Sequence, residues 1–464
     1  MSGQIINSLT QLSFFNLEKP INLQICEHRF TFIDLFAGIG GFRIPLEELG
    51  GKCLGYSEID SDAIKVYQQN FLTGYVNNNE KYLGDITKIS ELPWQVNLIV
   101  GGVPCQPWSV AGKLRGFDDS RGKLWFDTMR VVEKNQPLAF IFENVRGLIS
   151  PTNQRSFELI IQKFENIGYR VYYKLLNSAD FGLPQNRERV FLVGIRKDLD
   201  IDNFSFPEPL NLPTKLFQII DDLQGDFDIQ KIKLSPDILF NGSIPVSRNK
   251  FQKNDELNDF FVFCDTRNGH TTIHSWDLIK TTKREKLICE TILKNRRRKK
   301  YGTKDGNPLS LADLSELIEN LQIQELNNLV ENKIIRYVEK QGYEFVNSKN
   351  SSGINGIYRI FLPHSEIVPT LTATGTKDCI ATVSINEKTP EEYKSLFIKE
   401  IYRQKKYRYI TAKDCGKLQG FPSWFRAHSK ENIAKKQFGN AVSIPVVYYL
   451  AKSLVRSLGF IHLD

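Results

Sequence analysis

The sequence predicts an α/β protein with an open, mainly parallel sheet and helices on both of its faces. In roughly the first 200 residues, apolar runs typical of buried strands alternate with segments of helical spacing. Glycine and polar residues follow several of these strands directly, at the edge where open α/β sheets bind ligands. The alternation ends near residue 197, and the mixed region beyond it predicts a second, smaller domain.

The predicted strands and helices can be followed in chain order. The apolar run FTFIDLF at residues 30–36 predicts the first strand, and a glycine-rich turn leads from it into a helix. Repeated strand–helix–strand units of this kind favour parallel pairing. The later predicted elements are strand 52–58, helix 61–71 with Ser61 as N-cap, strand 96–102, helix 122–135, strand 138–143, helix 153–168 and strands 169–176 and 189–195.

Beyond residue 197 the sequence is less regular. The proline-rich segment FSFPEPLNLPTK predicts a linker, and residues from about 309 to 341 have the apolar spacing of one long helix. Between these segments lies KNRRRKK, a dense cationic run that is either a solvated helix end or a contact for phosphates. From about residue 409 a globular pattern returns, and it ends in a helix.

The composition is that of an ordinary globular protein. Of 464 residues, 41% are hydrophobic and 25% are charged, and no apolar run is long enough to span a bilayer. The first residues lack the pattern of a secretory signal, so we expect a cytoplasmic protein with no membrane partner. Seven cysteines without a CxxC pair and six scattered histidines predict neither a disulfide framework nor a metal site. The net charge of +8 weakly favours an acidic partner such as nucleic acid.

The turn after the first strand, DLFAGIGG at residues 34–41, is a candidate cofactor site. Glycines at this point let the backbone approach a ligand closely, although their spacing is not GxGxxG. Glu58 ends the next strand, where a carboxylate suits a ribose diol, and Asp85 follows a further short segment, where it could bind an adenine amine. The alternative is a structural tight turn with two capping acids. The three features in register favour a nucleoside cofactor.

Cys105 lies in GGVPCQPWSVAG, the loop that follows the strand at residues 96–102. A free cysteine is more often a small buried hydrophobe than a nucleophile. Pro104 and Pro107 stiffen this loop, however, and a rigid loop can aim a reactive thiol. Because the thiolate is the reactive species, nearby cations should lower the pKa of the thiol, and Arg187 and Arg189 are the candidates.

Glu143 ends the strand at residues 138–143, on a strand end that should neighbour Cys105. The acid is either a helix cap or a proton donor to a ring nitrogen. A thiol, an acid and an adenosyl cofactor are together what methylation of cytosine requires, because thiolate addition at carbon 6 and protonation at nitrogen 3 make carbon 5 nucleophilic. The base must also leave the duplex, since stacking covers its ring.

These motifs resemble those of the DNA (cytosine-5) methyltransferases of the bacterial type II restriction-modification type. The similar segments follow the family's order over nearly the whole chain except its middle, and they are FIDLFAGIGGFR, PCQPWSVAGK, ENVRG, QNRER, LQGFP and QFGNAVSIPV. The resemblance implies a Rossmann-like methyltransferase sheet, with S-adenosylmethionine as the cofactor, plus a smaller mixed target recognition domain. It also implies a monomer that binds double-stranded DNA between its domains, and a cognate endonuclease that acts on the same site but need not bind.

The resemblance assigns roles to residues at matching positions. Cys105 is the expected nucleophile, Glu143 the residue that protonates the base, and Arg189 the residue that contacts the base and orients the glutamate. Arg187 stays a candidate cation beside the thiol. The expected cofactor contacts are Asp34, Phe36, Ala37, Gly38, Gly40, Gly41, Glu58, Ile59, Asp85, Ile86, Pro104, Leu124, Asn440 and Val442.

The same resemblance predicts the domains and the DNA contacts. Residues 1–198 form the catalytic and cofactor-binding domain, 199–435 the small domain with the recognition segment, and 436–464 a C-terminal helix that returns to the catalytic domain. Thr370 in PTLTATG is the expected phosphate contact. The other expected DNA contacts are Gln106 and Ser109 in the cysteine loop, and Arg267, Asn268 and His270 in DTRNGHTTIHSW, chosen by position because their side chains could reach groove edges.

Three other functions compete with DNA methylation. A cytosine methyltransferase acting on RNA would have a short recognition region, whereas this one spans roughly 170 residues, which favours reading a duplex. A catalytically silent DNA-binding homologue is disfavoured by the intact Cys105, Glu143 and Arg189. A Rossmann oxidoreductase is suggested by the glycine turn alone, and the missing third glycine and the PCQ motif disfavour it.

Overall fold

The computed structural model describes residues 28–73, 80–104, 124–223, 260–263, 271–304, 306–346, 359–373, 378–387 and 389–461. Several residues assigned above lie outside this part of the chain, namely Cys105, Gln106, Ser109, Arg267, Asn268 and His270. The residues that are described divide into two compact units. One comprises the described residues of Met1–Thr214, Glu366–Thr376 and Thr411–Asp464, and the other those of Lys215–Ser365 and Lys377–Ile410.

The first unit contains a seven-stranded sheet in the order β3-β2-β1-β4-β5-β8-β6. Pairing is parallel from β3 through β5, whereas β8 runs antiparallel to both β5 and β6. The predicted α/β class and mainly parallel sheet are therefore confirmed. The strands are β1 (Phe30–Leu35), β2 (Gly51–Ser57), β3 (Lys81–Gly84), β4 (Leu98–Gly102), β5 (Ala139–Val145), β6 (Tyr169–Asn177) and β8 (Glu188–Arg196), with the short β7 (Gln185–Asn186) outside the sheet.

Helices cover both faces of this sheet. On one face, α1 (Arg43–Glu48) and the C-terminal α12 (Ile444–Ser457) bury apolar side chains against β1, β4 and β5. On the other face, α3 (Leu124–Asn135) and α4 (Gln154–Asn166) pack on side chains such as Phe140 and Phe142. Alternate residues of β1 point to opposite faces, so Phe32 joins the first core and Ile33 the second.

The helix α2 (Ser61–Phe71) has the predicted bounds but a different N-cap. The cap is Asp60, whose side chain accepts hydrogen bonds from the backbone amides of Asp62 and Ala63. Ser61 is instead the first helical residue, so the prediction that it caps the helix is wrong. A carboxylate at the cap also interacts favourably with the positive end of the helix dipole.

The C-terminal region contains α10 (Ala412–Leu418), α11 (Glu431–Asn440) and α12. The helical stretch Glu431–Ser457 is long and apolar enough to cross a membrane by length and composition, which the sequence analysis did not anticipate. Inside the protein, 72% of its most apolar window is buried. Its apolar side chains, such as Leu450 and Leu454, belong to the core beside the sheet.

The second unit contains a five-stranded sheet in the order β10-β9-β13-β15-β16. Its core includes the stacked rings of Phe261 and Phe397, whose centroids lie 3.7 Å apart. The strands and flanking helices of this unit are α5 (Leu216–Ile219), β9 (Phe260–Phe263), β10 (Thr272–Ile273), β13 (Arg359–Phe361), β15 (Cys379–Ala381), α9 (Pro390–Leu396) and β16 (Tyr407–Tyr409). The short strand β14 (Val368–Pro369) belongs to the first unit, where it pairs with β7.

The single long helix predicted at about 309–341 is wrong. The chain forms two short helices, α7 (Leu311–Leu317) and α8 (Ile323–Glu331), and then an antiparallel hairpin of β11 (Ile335–Val338) and β12 (Gly342–Phe345). They pack on α6 (Lys283–Asn295) around their own apolar core. The segment IRYV combines β-branched and aromatic residues, which favour a strand. Lys340 and Gly342 have positive φ, as residues at hairpin turns often do.

Candidate active site

The turn after β1 has a backbone that side chains rarely adopt. Phe36, Gly38 and Gly40 have φ values of 55°, 55° and 88°. The amide of Ala37 donates to the carbonyl of Ser57 at 2.9 Å, which fixes the turn to the end of β2. A left-handed phenylalanine at a strand end is strained, and strain of this kind concentrates at binding sites.

The glycines of this turn are required for different reasons. A Cβ on Gly40 would lie 2.3 Å from the ring of Phe71, and one on Gly41 would lie 2.8 Å from Cγ2 of Val442. Close protein packing thus explains these two glycines, whereas their pattern in the sequence predicts contact with a ligand. A Cβ on Gly38 would meet only a backbone oxygen at 4.0 Å, so this glycine faces open space.

Asp34 lies at the base of the turn and is completely buried. Neither of its carboxylate oxygens has a hydrogen-bond partner among the described residues. Burial raises the pKa of this carboxyl well above its usual range, and the positive charge of Arg43 offsets this only in part. An orphaned buried carboxyl at a strand end is a candidate partner for a ligand cation.

Glu58 joins the ends of β1 and β2. Its Oε2 accepts a hydrogen bond from the amide of Gly38 at 2.8 Å, and its Oε1 accepts from the amides of Ile59 and Asp60 at 2.7 and 2.9 Å. Glu58 therefore caps backbone amides, as the alternative of a structural capping acid predicts. The carboxylate is held in one orientation beside the open face of Gly38, and Ile59 next to it is 74% exposed.

The other expected cofactor contacts lie at several elements of the first unit. Asp85 caps the short turn Ile86–Lys88, with Oδ1 accepting from the amide of Thr87 at 3.0 Å, and these hydrogen bonds lower the pKa of Asp85. Ile86 is 3% exposed and belongs to the core beside α3, whose first residue is Leu124. Asn440 is exposed at the end of α11.

The ends of β4 and β5 lie side by side. Gly102 pairs in register with Glu143, and a Cβ on Gly102 would lie 3.8 Å from the glutamate Oε2. The buried side-chain amide of Asn144 donates to the backbone carbonyl of Val103 at 3.2 Å, which ties the end of β4 to β5. Pro104 follows, and Cys105 comes next in the chain.

Glu143 and Arg189 form an ion pair at this edge. Arg189 Nε lies 2.8 Å from Glu143 Oε1, and the two side chains are 16% and 10% exposed. In the antiparallel β5–β8 pair, Arg189 lies opposite Val145, two residues beyond Glu143, so both charged side chains project from the same face. The two predicted residues are thus brought together.

Arg187 has a different environment. Its guanidinium is buried and donates to the carbonyls of Leu371 and Gly439 at 3.1 and 3.2 Å, and to that of Ala441 at 2.8 Å. These carbonyls belong to chain segments that are far apart in sequence. Arg187 therefore holds these segments together, whereas its position in the sequence predicts a cation beside the thiol.

Thr370 lies just after β14, in the first unit. Its hydroxyl donates to the carbonyl of Asn186 at 2.6 Å, and the amide of Leu371 donates to the side chain of Gln185 at 3.0 Å. These bonds attach the segment to β7. The hydroxyl proton of Thr370 is thereby engaged, and its contact with a phosphate stays a prediction.

The four cysteines in the described part of the chain are all buried, and burial raises the pKa of each. The pKa is raised to about 12 for both Cys379 and Cys415. Thiols of this kind carry almost no thiolate at neutral pH. A nucleophile is therefore not expected among Cys53, Cys289, Cys379 and Cys415.

Two residues of the site were missed in the sequence. Asn144 is completely buried. The sequence feature that could have identified it is a polar residue inside an otherwise apolar strand. Arg43 is 5% exposed behind the glycine turn, where it contacts Glu47 and Glu80 at 2.9 and 2.5 Å and the hydroxyl of Tyr67 at 3.0 Å. The sequence feature that could have identified Arg43 is an arginine two residues after Gly41, at the start of an apolar helix.

Comparison with known proteins identifies the family. The family model described as C-5 cytosine-specific DNA methylase matches residues 30–456. The type II methyltransferase M.HgiBI of Herpetosiphon aurantiacus is 49% identical over 427 residues, covering 92% of this chain and 97% of the relative. The type II methyltransferase M.BanI of Aneurinibacillus aneurinilyticus is 34% identical over 454 residues, covering 92% of this chain and 96% of the relative.

A solved structure supports the fold. The Entamoeba histolytica methyltransferase EhMeth matches with a TM-score of 0.51 at 15% sequence identity, covering 93% of this chain and 99% of that one. The Rossmann-like methyltransferase sheet predicted from the motifs is thereby confirmed. The chain belongs to the C-5 cytosine-specific DNA methylase family.

Proposed function

We propose that this protein is the modification enzyme of a type II restriction-modification system. It transfers a methyl group from S-adenosylmethionine to carbon 5 of a cytosine flipped out of double-stranded DNA at a specific sequence. The family and the type II methyltransferases that are 49% and 34% identical to this chain support this class. The enzyme acts as a cytoplasmic monomer and protects host DNA from an endonuclease that acts on the same site but need not bind.

The nucleophile in this proposal is Cys105. Its thiolate adds to carbon 6 of the cytosine, nitrogen 3 takes a proton, and the electron pair at carbon 5 attacks the methyl group. Loss of the carbon 5 proton, departure of the thiolate and release of the nitrogen 3 proton then restore the ring. The raised thiol pKa values of the four described cysteines support a nucleophile elsewhere in the chain, and Cys105 follows Pro104 directly at the end of β4.

The observation that carries the proposal is the ion pair of Glu143 and Arg189 at 2.8 Å, one strand away from the exit of β4. Glu143 holds the proton for nitrogen 3, and Arg189 keeps the carboxyl in one orientation. The Nη1 of Arg189 donates to the carbonyl of Glu188 at 2.8 Å, which leaves its Nη2 for the base. Asn144 holds the carbonyl of Val103, which fixes the start of the cysteine loop relative to the acid.

The residues around the β1 turn fit S-adenosylmethionine. The orphaned carboxyl of Asp34 suits the ammonium of the methionine part, and the open face of Gly38 gives the ligand access to the backbone. The fixed carboxylate of Glu58 suits the ribose hydroxyls, and the exposed Ile59 suits one face of the adenine ring. When bound there, the cofactor supplies an electrophilic methyl group.

Bisulfite sequencing of DNA from cells that express the chain tests the proposal. We expect 5-methylcytosine at one position of one short recurring sequence. Methylation confined to RNA, or none with a fully folded protein, would contradict it. The sequence found would also identify the site that the predicted base-reading residues Arg267, Asn268 and His270 recognise.

Trapping with 5-fluorocytosine tests the nucleophile. A duplex carrying this base at the target, together with the methyl donor, should give a protein–DNA adduct that survives denaturation, because the fluorine blocks the final loss of a proton. Cys105→Ser should abolish the adduct and keep DNA binding. Cys26→Ser and Cys264→Ser are matched controls that should form it normally, and an adduct formed by Cys105→Ser would overturn the assignment.

A further inference from the structure

The positive charge of the chain is concentrated in one short segment of the second unit. Residues 294–304 contain seven lysines and arginines and no aspartate or glutamate. Because the net charge of the whole chain is +8, all the other residues together carry only +1. We call the outward-facing members of this segment the basic cluster, and they are Lys294, Arg297, Arg298, Lys299, Lys300 and Lys304.

Six of the seven cations are exposed, and the seventh holds the segment in place. Arg296 is 3% exposed, and its guanidinium lies 5.5 Å above the ring of Phe345 on β12. A Cβ on Gly306 would lie 2.1 Å from this guanidinium, so the chain passes very close to it. Arg296 therefore anchors the segment to the core of its unit, and its neighbours along the chain face solvent.

The backbone of the segment is also fixed by hydrogen bonds. The carbonyl of Arg296 accepts from both the amide and the side chain of Asn307, at 2.8 and 2.9 Å. The amide of Arg298 donates to the carbonyl of Asn295 at 2.8 Å, and the amide of Tyr301 to that of Arg298 at 3.0 Å. The cations are presented on two consecutive tight turns at the end of α6.

Carboxylates in the described part of the chain neutralise little of the charge on Lys294, Arg298, Lys299 and Lys300. Lys300 lies 3.2 Å from Glu316, in a pair whose side chains are 63% and 67% exposed, and a pair of that kind contributes little. In the part of the chain that the structure describes, no ion pair joins Lys294, Arg298 or Lys299 to an acid. The dipole of α6 favours one or two cations in its last turn, which does not explain seven.

We propose that the basic cluster is a binding site for the phosphodiester backbone of DNA, separate from base reading and from the chemistry of methyl transfer. The proposal rests on DNA as the substrate of the proposed function. Exposed cations on a backbone that hydrogen bonds hold in place attract phosphates. Such contacts raise affinity for any DNA sequence by releasing counterions. The cluster would hold the duplex without selecting its sequence.

Salt-dependent binding of the full-length protein tests this site. The probe is a fluorescent duplex of about 30 base pairs without the methylation sequence, titrated between about 50 and 200 mM salt. The triple variant Lys294→Gln, Arg298→Gln, Lys299→Gln should lower the slope of log affinity against log salt by about 2 to 3, since each lost phosphate contact accounts for about 0.9. The loss should be the same on a duplex that carries the site.

A matched control lies at the other end of the same helix. The triple variant Lys280→Gln, Lys283→Gln, Lys286→Gln removes the same charge from exposed positions and should keep the wild-type slope. A wild-type slope in the cluster variant, or an equal loss in the control, would overturn the proposal. If the wild-type protein itself bound no DNA, the proposed function would fail as well, so the two failures are distinguishable.

Discussion

The Nε of Arg189 lies 2.8 Å from the Oε1 of Glu143, across two antiparallel strands of the central sheet. The pair is mostly buried at the strand edge from which the cysteine loop departs. Because an arginine on β8 fixes an acid on β5, the position of the proposed proton donor depends on the sheet register and not on a flexible loop. This pairing makes Glu143 the first residue to test in the described part of the site.

Glu143→Gln should slow methyl transfer by about 100- to 10,000-fold, the usual range for loss of a general acid. Glutamine has no carboxylic acid proton to transfer to the base. Because it keeps the size of the side chain, DNA and cofactor affinities should change little. Single-turnover methylation with tritiated cofactor measures the rate. The control Glu188→Gln removes a nearby acid that pairs with Arg146 at 2.7 Å, and it should react normally. An unchanged methylation rate for Glu143→Gln would mean that Glu143 has only a structural role.

Arg187→Met should destabilise the protein by about 3 to 5 kcal/mol, because a buried cation that donates to three carbonyls is lost. Urea unfolding measures this cost. The control Arg196→Met removes a partly exposed cation at the end of β8, 2.7 Å from Asp198, and should cost less than about 1 kcal/mol. Normal stability of Arg187→Met with lost methylation would favour the role beside the thiol that the sequence suggested.

Much of the first unit could be predicted because its elements have strong local patterns. The apolar period located most strands and helices of the sheet to within a few residues, although β3 was not predicted as a strand, and the motif order identified the family. The long helix at about 309–341 failed because apolar spacing alone does not distinguish a helix from a hairpin such as β11–β12. The surroundings of Arg187 could not be predicted either, since its partners Leu371 and Gly439 are 184 and 252 residues away.

Gly41→Ala should destabilise the protein by about 1 to 3 kcal/mol through overpacking, because the new methyl would lie 2.8 Å from Cγ2 of Val442. Val442→Ala removes that methyl, so the double variant should lose less stability than the two single variants summed, by about 1 kcal/mol. Urea unfolding of the four proteins gives the coupling. Gly38→Ala is the matched control: its strain at φ +55° has no contact with Val442, so its cost should add to that of Val442→Ala. Additive costs for Gly41 and Val442 would contradict the contact.

The buried carboxyl of Asp34 should make the stability of the cofactor-free protein depend on pH. Burial raises the pKa of Asp34 well above its ordinary value of 3.8, so between these two values the unfolded chain releases a proton that the folded protein keeps. The free energy of unfolding therefore falls as the pH rises through this window. Asp34→Asn cannot ionise and should avoid that fall, which makes it more stable than the wild type at neutral pH.

Urea unfolding from about pH 4 to pH 8 measures this difference. The curves for the wild type and Asp34→Asn should separate as the pH rises, by about 1.4 kcal/mol for each unit by which the pKa is raised. Asp85→Asn is the control with the opposite sign, because hydrogen bonds to the amide and side chain of Thr87 lower the pKa of Asp85, and it should show no gain at neutral pH. If Asp34 binds the cofactor ammonium, Asp34→Asn should also bind S-adenosylmethionine more weakly. Parallel stability curves would mean that Asp34 finds a partner in solution and is not an orphaned carboxyl.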